Sequence, residues 1–219
     1  MDTAFPAVDE FGTLIDVLLA GDHAAALAET QRLIQAGHPA ETIVTAGLET
    51  AMRRLDDKCT VESFNLLEIM LVGRAVSAVV HELYPEGVPP ENSRGTLIVA
   101  TLEGDVHDLG KNIVKMVLIG KGYRVVDLGR DCPVATLVAA TAREAASGVL
   151  ISGLISSIVP QVRRVRPALR AHGLGSVWVV AGGAALKQCA AADLDVDYVA
   201  ENAFDGARYI EARFTGATP

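Results

Sequence analysis

From Gly95 onward the chain repeats one pattern, a short apolar run followed by a segment of helical length. TLIVAT, YRVVDL, GVLIS, SVWVVA and DYVA are the runs, and the helical segments begin near Leu109, Pro133, Ser157, Leu186 and Ala203. A continuous apolar run of this length reads as a strand buried on both faces. Strands that alternate with helices run parallel, because each crossover carries the chain back to the same edge. Crossovers of this kind are right-handed. The expectation is therefore an α/β, flavodoxin-like (Rossmann-like) five-stranded parallel sheet in the order 2-1-3-4-5.

The first half has a different period. Phe11, Leu14, Ile15, Leu18 and Leu19 recur at the spacing of one helix face, and Gly21 ends that helix. Asp22 can cap a second helix that stops at Gly37, and Pro39 suits the first turn of a third. The third helix carries Ile43, Val44, Gly47, Leu48, Ala51, Met52 and Leu55 along one face, and a fourth brings Phe64, Leu67, Met70 and Leu71 toward Pro85. Taken alone, Phe64, Leu67 and Met70 read as core. The segment around 85–94, PEGVPPENSR, has the proline content of an extended connector. The expected organisation is an all-α four-helix cap bundle over 1–86, a linker over 87–94 and an α/β domain over 95–219.

Composition narrows the function. Nineteen Lys and Arg against 27 Asp and Glu give a formal charge of −8, the wrong sign for binding nucleic acid. The cluster Arg163, Arg164, Arg166 and Arg170 reads as a solvated helix face. No apolar run is long enough for a membrane span, and MDTAFPAVDE lacks the features of a secretory signal, so the expected location is the cytoplasm. Cys59, Cys132 and Cys189 are odd in number, far apart and without a Cys-x-x-Cys pair, and they read as small buried hydrophobes.

Open parallel sheets bind ligands beyond the carboxyl ends of their strands. Those loops here read EGDVHDLGKN after the first strand, SGLISS after the third, AGGAA after the fourth and AENA after the fifth. Asp105 can take the Nδ1 proton of His107 and leave Nε2 as a ligand. By itself Asp-x-His is more often an exposed turn ahead of a helix. The combination is more specific: 41 residues lie between Gly110 and Ser152, and 27 between Leu154 and Gly182, giving Asp-x-His-x-x-Gly, Ser-x-Leu and Gly-Gly in three neighbouring loops.

That combination resembles the cobalamin-binding domain of methionine synthases, methylmalonyl-CoA mutases and glutamate mutases. The preceding segment LETAMRRLDDKCTVESFNLLEIMLVGRAV is similar to the cap of methionine synthase and of small corrinoid proteins in methyltransferase systems. It departs from that pattern in lacking a proline near residue 67 and in having Val76 where methionine is common. The resemblance implies cobalamin (methylcobalamin or another corrinoid) as cofactor, with His107 as the lower cobalt ligand in place of the cofactor's own base, Asp105 orienting it and Ser152 supporting Asp105. It further implies close approach of the corrin at Gly104, Val106, Asp108, Leu109 and Gly110. Leu154, Ser156, Ser157, Gly182, Gly183 and Ala203 would line a slot for the displaced nucleotide tail. Phe64, Leu67 and Met70 are the candidates for covering the methyl group.

The function implied is that of a methyl carrier, serving a substrate-specific methyltransferase and an acceptor methyltransferase, the latter folate-dependent by the family pattern. With 219 residues there is no room for the barrels that activate donor or acceptor, so the chain is expected to be a carrier subunit and not a complete enzyme. A cobalamin-based sensor is the main alternative, although no basic recognition helix is evident. A mutase small subunit would make the helical cap superfluous. Dinucleotide, phosphate-loop and classical zinc motifs are absent, and the third strand ends in Ser152 and Gly153 where a receiver domain would need an aspartate.

Overall fold

The computed structural model describes residues 10–58 and 65–216. Phe64, Cys59 and the amino-terminal stretch read above as lacking a signal lie outside the described residues. The chain divides into two compact units, Met1–Asn92 with Ile119–Gly122, and Ser93–Leu118 with Tyr123–Pro219.

The first unit is helical: α1 Gly12–Leu19, α2 His23–Gln35, α3 Ala40–Thr42, α4 Glu49–Lys58 and α5 Leu66–Leu83. The Asp22 side chain accepts the Ala25 amide at 3.0 Å and so caps α2. Asn65 does the same for α5 through the Glu68 amide at 3.2 Å. Gly21 and Gly37 take the left-handed conformation that stops α1 and α2. Between α3 and α4 the backbone runs as a π-helical segment, Ile43–Leu48, which periodicity had read as ordinary helix. Within it Gly47 lies against Leu14, so close that a Cβ would come within 2.7 Å of Cδ2. Phe11, Leu14, Ile15, Leu33, Leu48, Met52, Ile69, Val72 and Val76 are buried. Leu67 and Met70 are not: they are 66% and 49% exposed. Reading these two as core was wrong, because apart from Glu68 the first turns of α5 are apolar and only one side faces the bundle.

The second unit is a five-stranded parallel sheet of β1 Thr96–Thr101, β2 Arg124–Asp127, β3 Gly148–Ser152, β4 Trp178–Gly182 and β5 Tyr198–Ala200, in the order 2-1-3-4-5. Helices α6 Leu109–Gly120, α7 Val134–Arg143, α8 Val159–Ala171, α9 Ala191–Leu194 and α10 Ala203–Thr215 connect and follow the strands. Ile98, Ala100, Val149, Ile151, Val179 and Ala181 meet Leu137 and Val138 of α7 and Val162, Val165 and Leu169 of α8 in one core. Alternate residues such as Leu97, Val99 and Leu150 point to the other face, and α10 packs on β4 and β5. The segment from Leu186 is not a full helix. It forms a 3-10 turn and four residues of α9, interrupted by extended Cys189 and ended by left-handed Asp195.

The arginine cluster on α8 also differs from expectation. Arg166 is buried, donates to the Val177 carbonyl at 3.2 Å and pairs with Asp197, while Arg163 donates to the Asp193 carbonyl at 2.8 Å. These side chains fasten α8 to the segments leading into β4 and β5, and are more than a solvated face. Among the described residues no helix is long and apolar enough to cross a membrane.

Candidate functional site

Strand register sets the site. Thr101 pairs with Ser152, Ser152 with Gly182 and Gly182 with Ala200, so four strands end on one row. The three motif-bearing loops and the start of α10 all leave from this row, at the β1/β3 switch point and beside it.

Asp105 lies just beyond β1 and is fully buried; His107 is 49% exposed. His107 Nδ1 stands 2.7 Å from Asp105 Oδ1, and the His107 amide donates to the same oxygen at 2.9 Å. Asp105 Oδ2 accepts the Leu154 amide at 2.7 Å and the Ile155 amide at 3.3 Å. Burial works to raise the Asp105 pKa. The amides of His107 and Leu154, the His107 ring and the Ile155 amide outweigh it, and the carboxyl sits below its usual value. An ionised carboxylate only accepts, so the imidazole donates from Nδ1, and Nε2 is the ring nitrogen left for a metal.

The support for Asp105 is therefore main-chain, and Ser152 does not supply it. The Ser152 hydroxyl instead faces Gly110, where a Cβ would come within 2.8 Å of Oγ. A side chain at Gly110 would crowd the first turn of α6 against β3. Gly104 has φ +95°, and its amide donates to Asp131 Oδ1 at 2.8 Å. Asp131, itself left-handed at φ +54°, also donates its amide to the Asp105 carbonyl at 3.1 Å. Thr101 Oγ1 donates to the His107 carbonyl at 3.3 Å. Asp131 and Thr101 were not found from sequence, since neither lies in a recognisable spacing.

The two glycines after β4 are not equivalent. Gly183 has φ +97°, and a Cβ there would lie 2.5 Å from the Gly153 carbonyl oxygen. Its missing side chain makes room for the backbone of the β3 loop. A Cβ on Gly182 would meet only ordinary contacts, the nearest at 3.5 Å. The two loops are also tied by hydrogen bonds from Gly153 N to Gly182 O at 2.9 Å and from Ala185 N to Gly153 O at 3.2 Å. Ser156 and Ser157 are exposed in a 3-10 turn ahead of α8, and Ala203 is the first residue of α10, which Asn202 caps through the Asp205 amide at 2.9 Å. Asp108 is half-buried. Val106, Leu109, Leu154 and Ile155 are exposed apolar side chains in the loops around His107.

Among the described residues no three His, Cys, Asp or Glu side chains converge as a metal site. A single imidazole with a fixed tautomer, set among exposed apolar side chains, suits a metal whose in-plane bonds a macrocycle already fills. Fold and site together define a protein of the doubly wound α/β class whose candidate ligand loops gather at the carboxyl edge of the sheet.

Comparison with known proteins agrees. The B12 binding domain family matches residues 95–208, and the chain belongs to this family of cobalamin-binding proteins. The chain is 33% identical to dimethylamine corrinoid protein 2 of Methanosarcina mazei over 87% of its own length and 90% of the relative's. It is 29% identical to monomethylamine corrinoid protein 2 of the same organism, over 90% of this chain and 94% of that protein. A crystal structure of the methanol:cobalamin methyltransferase complex from Methanosarcina barkeri superposes with a TM-score of 0.81 at 25% identity, covering 100% of this chain and 88% of that one.

Proposed function

We propose that this chain is a corrinoid methyl carrier that binds cobalamin with His107 in place of the cofactor's own base. The observation that carries this reading is the Asp105–His107 pair, in which a half-exposed ring is held by Nδ1 2.7 Å from a buried carboxylate and Nε2 is the nitrogen left to bind a metal. Bound cobalamin supplies a cobalt centre that accepts and releases a methyl group. His107 would hold that metal, and Asp105, by accepting from Nδ1, would keep the proton on that ring nitrogen and raise the donor strength of Nε2. Val106, Leu109, Leu154 and Ile155 offer apolar surface for a corrin ring. The loops at 152–157 and 182–183 and the 201–203 turn offer backbone and hydroxyl groups for the displaced tail.

The relatives named above are a dimethylamine and a monomethylamine corrinoid protein, and the solved complex is a methanol:cobalamin methyltransferase complex. Both support a separate substrate-specific methyltransferase as the donor partner. A second, folate-dependent methyltransferase would take the methyl group onward.

The test is a visible-light titration of the purified protein with hydroxocobalamin, alongside His107→Ala. Micromolar binding with a histidine-ligated spectrum in the wild type and a base-off spectrum in the variant is expected. No binding by the wild type would overturn the proposal.

A further inference from the structure

Lys111 sits in the first turn of α6, four residues after His107, with its side chain only 3% exposed. A cation is disfavoured at a helix N-terminus, and a buried ammonium is costly unless every proton is used. Here Nζ donates to Asp127 Oδ1 at 2.7 Å, to Asp127 Oδ2 at 2.8 Å and to Asn112 Oδ1 at 2.7 Å. Asp127 also takes Lys115 Nζ at 3.0 Å and the Gly129 amide at 2.9 Å.

Asp127 ends β2, and the chain that follows it leads straight back to the site. Thr101 N donates to Gly129 O at 3.0 Å, Cys132 N donates to Thr101 O at 3.0 Å, and Asp131 binds Gly104 N and Asp105 O. The segment 104–110 is thus gripped at its far end by Lys111 and at its near end by the 129–132 turn, and both grips meet at Asp127. Stability alone does not require this, since a buried ion pair can often be replaced by apolar side chains without loss.

We propose that Lys111 is a positioning residue which, through Asp127, clamps both ends of the 104–110 segment and so fixes the His107 ring for metal ligation. The inference rests on the reading of His107 as the cobalt ligand.

Lys111→Met is the first variant, because Asp127 keeps Lys115 and the Gly129 amide. In the cofactor-free protein, amide hydrogen exchange over residues 102–113 should accelerate about tenfold, with β3 and β4 unchanged. Hydroxocobalamin affinity should fall about tenfold, with partial loss of the histidine-ligated spectrum, the size expected for an outer-shell partner. Asp127→Asn should act in the same direction. Val165→Ala, on the buried face of α8, is the control for general destabilisation and should leave both readouts as in the wild type. Wild-type exchange or wild-type affinity in Lys111→Met would overturn the proposal, as would an equal loss in Val165→Ala. If the wild type itself binds no cobalamin, the cofactor reading fails, and the exchange measurement still decides the clamp.

Discussion

Asp105 accepts from His107 twice at one oxygen, from the ring Nδ1 at 2.7 Å and from the main-chain amide at 2.9 Å. Its other oxygen is thereby left to the amides of Leu154 and Ile155 at the end of the third strand. One buried carboxylate thus fixes the tautomer of the ring and joins the first loop of the sheet to the third. Both oxygens must accept for this to work, and an aspartate is the shortest side chain that offers two.

Asp105→Asn tests that requirement. The amide group can turn only one acceptor inward, so either the His107 donors or the loop amides meet an NH₂ group. The apo protein should lose about 1–3 kcal/mol in urea unfolding, and cobalamin affinity should fall roughly 10–100-fold. His107→Ala should remove the histidine-ligated spectrum while leaving apo stability near that of the wild type, because the ring is half exposed. Wild-type cobalamin affinity in Asp105→Asn would contradict the role given to Asp105.

Gly182 and Gly183 separate a steric requirement from a sequence pattern. Gly183→Ala would place a Cβ 2.5 Å from the Gly153 carbonyl oxygen at φ +97°, and should cost about 1–3 kcal/mol. Gly182→Ala meets its nearest neighbour at 3.5 Å and should change stability by less than about 1 kcal/mol. Denaturant midpoints of the two variants read the difference directly, and equal costs would refute it.

The sheet was legible because buried parallel strands are uninterrupted apolar runs, and the helices between them fix the strand direction. The Asp105–His107 pair was legible because two residues of chain separation suffice to bring carboxylate to ring. What holds Asp105 was not, because the Leu154 and Ile155 amides carry no side-chain signature. Asp131 and the Lys111–Asp127 pair were missed for a related reason: each acts across a strand crossover, at a separation that only the folded sheet defines. The break in the segment after Leu186 depends on Cys189 being extended and Asp195 left-handed, and neither residue type announces that.

On α5 the same limit has a measurable consequence. Leu67 and Met70 are exposed, whereas Val72 is fully buried. Leu67→Ser and Met70→Ser should therefore shift stability by no more than about 0.5 kcal/mol, within the range of ordinary surface changes. Val72→Ala should cost about 1–3 kcal/mol through lost packing. If both serine variants proved as costly as Val72→Ala, these side chains would be core after all.

The Lys111–Asp127 pair predicts an acid limb of stability. Burial favours a neutral Asp127, but the hydrogen bonds from Lys111, Gly129 and Lys115 outweigh it and hold the carboxyl below its ordinary value of 3.8. A group whose folded pKa is depressed contributes stability that is fully present above the unfolded pKa and disappears as pH falls through the folded one. Urea unfolding from pH 7 to pH 2 should accordingly show a wild-type advantage over Asp127→Asn that is constant above about pH 5 and shrinks below about pH 4. On the plateau the variant leaves the Lys111 ammonium buried with only neutral acceptors, the amide oxygens at 127 and Asn112, and no counter-charge from residue 127, a loss on the order of 3 kcal/mol. An advantage that stayed constant down to pH 2 would mean that Asp127 does not titrate with folding, and the carboxylate would then contribute through its shape and not its charge.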